Sequence, residues 1–204
     1  MLIHPWDAGD AEQGWEFLRA QGFGHLVAAG RGREVPVVVP TQFTVTGSGA
    51  GREVLLHLAR PNPVWAAVAE NPAVVLSVAG DWAYVPGAWK ATGDEDPCLG
   101  IPTTYYTAVQ LVASAEVLAG EDLLAVLRTQ LADLEPAGGL ADPSVHERRL
   151  PGILGLRLVP REIRTKFKYG GNVDTEHRSA VAARLRERGG PGDAAAAARL
   201  RRTD

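Results

Sequence analysis

The sequence predicts an α+β fold built around a β-barrel, on three observations. Short Val- and Leu-rich runs recur along the chain, each bounded by Gly, Pro or Asn, as strands are. Only a few segments carry a helical pattern, mostly towards the ends of the chain, which favours a barrel over a parallel sheet. The length of 204 residues, with 46% hydrophobic and 22% charged side chains, suits one globular domain. A chain of that size buries roughly 70% of its unfolded surface and needs no disulfide or metal to hold it.

In chain order, Asp10 to Gln21 reads as a helix. Asp10 is placed to cap it, with Gln13 three residues on and Trp15 and Leu18 on the apolar face. Strands are expected at Gly24 to Ala29, Val35 to Pro40, Val54 to Ala59 and Ala73 to Val78, and the glycine-rich run 47–51 reads as a hairpin loop. Asn62 and Pro63 open a short helix that ends before Pro72. Trp82 to Trp89 and Thr107 to Leu118 supply more strand, separated by a loop rich in Gly, Pro and acid. Glu121 to Leu134 is helical, with Leu123, Leu127, Leu131 and Leu134 in one stripe. A loop over 136–151 precedes a strand at Ile153 to Val159 and a helix at Thr175 to Glu187 capped by Asp174. Residues 1–188 are expected as one domain. A Gly/Ala/Arg-rich C-terminal tail follows at 189–204, with a frayed helix over Ala194 to Arg202.

Composition narrows the function classes. Net charge is −3, so the basic excess that phosphate neutralisation requires is missing, and no nucleic-acid partner is expected. A lone cysteine, Cys98, excludes a disulfide within the chain. No apolar run approaches the ~20 residues of a membrane span. No signal-peptide pattern opens the sequence, so the cytoplasm is the expected location.

Four segments are candidates for chemistry. Leu56 to Trp65 puts His57 on a strand, Arg60 at its end and Asn62 at a helix start whose N–H groups suit an anion. The alternative is a hydrogen-bonded barrel histidine beside a solvated arginine. Trp82, Tyr84 and Trp89 are able to wall a planar cofactor, or equally to form an aromatic core. Asp94, Glu95 and Asp96 lead into Thr103, Thr104, Tyr105 and Tyr106, which reads either as a solvated acidic loop or as a pocket cover with proton donors. Lys166 and Lys168 alternate onto one strand face before Gly170 and Gly171, as a basic surface strand or beside a ligand.

Together these segments resemble the PaiB family of FMN-binding split-barrel proteins, often described as negative transcriptional regulators. The matching pieces are Phe23 to Val27, His57 to Trp65, Gly80 with Ala83 to Val85, Trp89, Pro102-Thr103 with Tyr106, and Lys166 to Lys168 with Asn172. Family members typically carry Pro-Thr-Trp-Asn-Tyr and Lys-Phe-Lys-Leu-Ser-Gln-Asn. This chain has Pro102-Thr103-Thr104-Tyr105-Tyr106 and Lys166-Phe167-Lys168-Tyr169-Gly170-Gly171-Asn172. Where members carry Ser-Pro-Ser-Trp-Tyr, this chain has Pro86-Gly87-Ala88-Trp89-Lys90. These departures, with the Gly93 to Pro97 loop, resemble a branch of the family, the haem-dependent piperazate synthases.

The resemblance implies a split β-barrel, a homodimer, and haem b as cofactor, with FMN as the alternative. It implies an enzyme that forms an intramolecular N–N bond in N5-hydroxy-L-ornithine, losing water to give L-piperazic acid. On that reading His57 is the iron ligand, and Arg60, Asn62, Trp65, Trp89 and Lys166 contact the cofactor. Tyr106, Thr104, Lys168 and Glu95 serve the reaction. The competing readings are an FMN-binding regulator and a flavin oxidoreductase on the same barrel.

Overall fold

The structure is a computed structural model that describes residues 1–91, 96–136 and 141–200. Five α-helices and seven strands form along the described chain. Their order is α1 (Ala11–Gln21), β1 (Phe23–Ala28), β2 (Val37–Gln42), β3 (Thr44–Thr46), β4 (Glu53–Ala59), α2 (Val64–Glu70) and β5 (Ala73–Val85). Then follow β6 (Thr103–Leu118), α3 (Gly120–Leu134), β7 (Ile153–Lys168), α4 (Thr175–Arg188) and α5 (Asp193–Leu200). The strands make one antiparallel sheet in the order β2-β1-β5-β6-β7-β4-β3. Contacts divide the chain into two compact units, one of residues 14–78 and 110–163, the other of residues 1–13, 79–109 and 164–204.

In the unit of residues 14–78 and 110–163, β2 and β3 stand at opposite ends of the sheet order, yet Phe43 alone separates them in sequence. The chain itself therefore joins the two ends of the sheet, which is the topology of a barrel. Phe43 is buried there with Leu26, Leu56, Leu76, Leu111 and Leu156. Each such side chain contributes about 1.5–3 kcal/mol on leaving water. On β4, Leu55 points to the face that α3 covers, where it packs with Leu118 and Val126. Gly155 of β7 pairs with His57 of β4. A Cβ on Gly155 would lie 3.2 Å from the Leu118 Cβ and 3.5 Å from Leu123 and Val126, so this glycine lets α3 approach closely.

In the other unit, Ala83, Val85, Tyr105 and Tyr169 form a core with Val181, Leu185, Ala196, Ala197 and Leu200. The helix expected to be frayed from Ala194 is α5, which packs and buries three apolar side chains, Ala196, Ala197 and Leu200. An ion pair anchors it, because Arg188 Nε donates to Asp193 Oδ2 at 2.8 Å. Helix α4 ends where Gly189 turns left-handed at φ 61°, with its N–H on the Leu185 carbonyl.

Several elements differ from the sequence expectation for identifiable reasons. The strands expected at 73–78 and 82–89 are one strand, β5, carried through a kink at Asp81 with φ 52°. That costly conformation for a non-glycine residue is held at both ends. The Asp81 carbonyl accepts from Tyr169 Oη at 2.7 Å, and its carboxylate from Arg199 Nε at 2.8 Å. Strand β6 starts at Thr103 rather than Thr107, so the hydroxyl run expected in a loop lies in the sheet. Strand β7 continues through the basic segment to Lys168, and the short β3 had no apolar run to announce it.

Candidate functional site

His57 reaches its position through two matched periods. On β4, Leu55 and His57 share a face because side chains alternate. On α3, Val126 and Gln130 share a face because four residues make about one turn. Leu55 meets Val126, and two residues further along the strand His57 meets Gln130. The His57 Nδ1 lies 2.7 Å from Gln130 Oε1. An amide oxygen only accepts, so Nδ1 carries the proton and donates it. With the proton on Nδ1, the lone pair of the neutral form lies on Nε2, the arrangement found where a histidine binds metal and a second group fixes its tautomer.

His57 and Gln130 line a cavity of about 510 Å³. Its walls are apolar, with Leu127, Leu131 and Leu134 from α3 and Leu150 and Ile153 beyond it. The polar groups on the lining include His146, Arg149, Glu135 and Asp142. Asp142 caps the turn 143–146 by accepting from the Ser144 N–H and hydroxyl at 2.9 and 2.8 Å, which holds its carboxyl below the usual range. An apolar cavity of this size with one imidazole of fixed tautomer and a few polar groups has the make-up of a cofactor site.

The rest of the His57 segment is occupied with its own turn. Arg60 Nε donates to the Pro151 carbonyl at 2.6 Å, and Trp65 Nε1 to the Ala59 carbonyl at 2.9 Å. Asn62 Oδ1 accepts from the Val64 N–H at 3.0 Å, so a donor expected to face an anion is satisfied within the chain. Arg60 lines a different depression, with Leu123, Glu147 and Pro151. None of Arg60, Asn62 and Trp65 lines the His57 cavity.

The unit of residues 1–13, 79–109 and 164–204 holds the remaining candidates. Lys166 and Lys168 do share one strand face, with their ammonium groups 5.4 and 5.9 Å from the Tyr106 ring centre. Lys166 also donates to the Leu2 carbonyl at 3.0 Å. Lys168 donates to Thr103 Oγ1 at 2.7 Å and lines a second cavity of about 510 Å³ with Asp7, Lys90, Tyr105 and Asn172. Thr104 is exposed. Trp89 packs against the core of this unit, with the Arg188 guanidinium 5.0 Å over its ring. Trp82 and Tyr84 are exposed on β5. Asp94 and Glu95 lie outside the described residues.

Sequence reasoning missed Gln130, His146, Arg149, Asp7 and Lys90. Gln130 had a signal, because it is the one polar residue on the buried side of α3 with Leu123, Val126 and Leu127. The others lie in loops or at the chain start, where no periodicity marks a facing direction.

Residues 2–161 match the family described as "Putative FMN-binding domain". The chain belongs to this family. A curated relative, "Protease synthase and sporulation protein PAI 2" of Bacillus subtilis, is 24% identical over 176 residues, covering 80% of this chain and 78% of the relative. The flavocytochrome Anf3 from Azotobacter vinelandii has a TM-score of 0.59 at 22% identity, covering 81% of this chain and 71% of the other. A FAD and haem binding protein from Mycobacterium smegmatis also has a TM-score of 0.59, at 19% identity over 85% of this chain and 78% of the other. These structures share the fold, and the expected α+β split barrel is what this chain forms. The PaiB-like family expectation also holds. No described helix is long and apolar enough to cross a membrane.

Proposed function

We propose that this member of the FMN-binding domain family is a haem-dependent piperazate synthase that closes N5-hydroxy-L-ornithine to L-piperazic acid. The observation that carries the haem part is His57, whose Nδ1 proton is held by the buried Gln130 and which lines an apolar cavity of about 510 Å³. The residues fit the group. Leucine walls suit a porphyrin face, His57 Nε2 is the atom that would bind iron, and Arg149 would be a cation for a propionate. Two proteins of the same fold are described as a flavocytochrome and as a FAD and haem binding protein. The substrate part rests on the resemblance carried by Gly93 to Pro97, Ile101 to Tyr106 and Lys166 to Asn172.

Haem iron, when bound, supplies a Lewis acid that polarises the N–O bond of a hydroxylamine. In the reaction the α-amine forms the N–N bond as the N–O bond breaks. A proton leaves the amine and the hydroxyl departs as water, so no external oxidant or reductant is consumed. Enforced proximity favours closure because amine and hydroxylamine belong to one molecule. By the resemblance alone, Tyr106 and Thr104 are the proposed proton donors to the leaving hydroxyl. The resemblance alone assigns Arg60, Asn62, Trp65, Trp89 and Lys166 to the cofactor; none of them lines the His57 cavity, and this reading gives them no role there. The same reading takes the protein as a cytoplasmic homodimer acting on a small molecule, without nucleic acid.

The family's description favours a second reading, FMN in place of haem, in a regulator or a flavin oxidoreductase. One absorbance spectrum of the purified protein separates the two. The haem reading expects a Soret band that is lost or shifted in His57→Ala, together with conversion of N5-hydroxy-L-ornithine to piperazic acid. A flavin spectrum with no Soret band overturns it.

A further inference from the structure

We infer that the cavity of Asp7, Lys90, Thr103, Tyr105, Lys168 and Asn172 binds the zwitterionic head of an α-amino acid. Two ammonium groups enter it from separate elements. Lys168 Nζ donates to Thr103 Oγ1 at 2.7 Å, and Lys90 Nζ to Tyr105 Oη at 3.3 Å. Each ammonium has three donors, so both retain donors after these bonds. Among the described residues neither lysine forms an ion pair, and their partners are neutral hydroxyls. A carboxylate placed between them would gain charge-assisted hydrogen bonds that the free protein lacks.

Asp7 supplies the opposite pole. It is only 3% exposed, lies on the lining of the same cavity, and accepts no hydrogen bond from the described residues. A buried carboxylate in that state gains from a ligand N–H, because an unmade bond to a buried charge is costly. Burial pushes its carboxyl above the usual range, against the pull of Lys166, Lys168 and His4. Burial also lowers the Lys90 ammonium, and the Lys168 charge lowers it further. Both shifts come first from burial of a charge, which an ammonium and a carboxylate from one ligand would offset. Pro102 and Val173, on the same lining, give an aliphatic side chain an apolar surface.

The inference rests on the proposed function, which makes ornithine the probe. Calorimetry on the full chain would compare L-ornithine with 5-aminopentanoate, which lacks the α-amine, and with putrescine, which lacks the carboxylate. Each analogue is expected to bind at least about tenfold more weakly, the scale of one lost charge-assisted bond. Lys168→Met should weaken ornithine by about tenfold, and Asp7→Asn should remove the preference for ornithine over 5-aminopentanoate. Circular dichroism checks folding of each variant, and Lys90→Met stands in for Lys168→Met if that variant does not fold. Absence of ornithine binding overturns the inference, as does equally tight binding of inorganic phosphate or unchanged affinity in the variants. The Soret band reads the haem proposal separately, so a failure of either is visible without the other.

Discussion

At the level of single residues, two hydrogen bonds bear the most weight. The first joins His57 and Gln130 at 2.7 Å, with Gln130 only 3% exposed. Gln130→Leu keeps the helix stripe apolar but removes the protein acceptor of the Nδ1 proton. We expect a loss of about 1 kcal/mol in stability and a mixture of His57 tautomers, read from ring ¹⁵N shifts in the protein without haem. An unchanged ¹⁵N pattern would show that Gln130 does not set the tautomer. The second is the Tyr169 hydroxyl, which donates to the Asp81 carbonyl at 2.7 Å and lies 2.9 Å from Thr107 Oγ1. Burial raises its ionisation far above the ordinary tyrosine value, so it is a neutral donor throughout the physiological range. Tyr169→Phe leaves both partners short in a closed core and should cost about 1–3 kcal/mol by thermal or urea denaturation. A variant as stable as the parent would mean that the Asp81 kink is held without it.

Helix α5 is the element whose hold on the fold is easiest to titrate. Its first residue, Asp193, has a side chain 1% exposed and is paired with Arg188, which holds the carboxyl below the usual range. The folded value therefore lies below the unfolded one. The stability it brings is complete above about pH 4 and is lost as pH falls through the depressed value. Asp193→Asn should lower the thermal midpoint at neutral pH and flatten the acid side of the stability profile. Glu70, held low by Arg33, keeps part of the slope in both proteins. An acid limb identical to the parent's would show that α5 is not anchored by this pair. The same element shows the limit of reading sequence alone. Gly189 to Gly192 punctuates as a tail begins, and only tertiary burial of Ala196, Ala197 and Leu200 makes the alanine run a packed helix. Capped elements were legible, because Asp10 and Gln13 bond reciprocally at 2.8 and 3.0 Å and Asp174 Oδ1 takes the His177 N–H at 2.7 Å. The continuity of β5 was not, since Gly80-Asp81 carries a turn signal that the Tyr169 and Arg199 contacts override.

For the whole molecule, sequence pattern exposed the barrel class, while the groups that line each cavity come from distant segments. Gln130 is 73 residues from His57 in sequence, and Asp7 reaches its cavity from the chain start. Local reading cannot pair such residues, because neither spacing nor periodicity links them. The two cavities fall in different compact units, His57 in that of 14–78 and 110–163 and Lys168 in the other. Two ligands should therefore leave two footprints in native-state hydrogen exchange. A ligand at ~100 times its dissociation constant stabilises the folded state by about 2.7 kcal/mol, which slows exchange through coupled openings by roughly 100-fold. Added haem should slow β4, α3 and the start of β7 around Ile153. Added ornithine should instead slow the residues near Lys90, the start of β6 and the end of β7 near Lys168. In His57→Ala the haem footprint should vanish and the ornithine footprint persist. If FMN rather than haem protects β4 and α3, the flavin reading takes the cavity; if haem protects only the Lys168 end of β7, His57 is not its ligand.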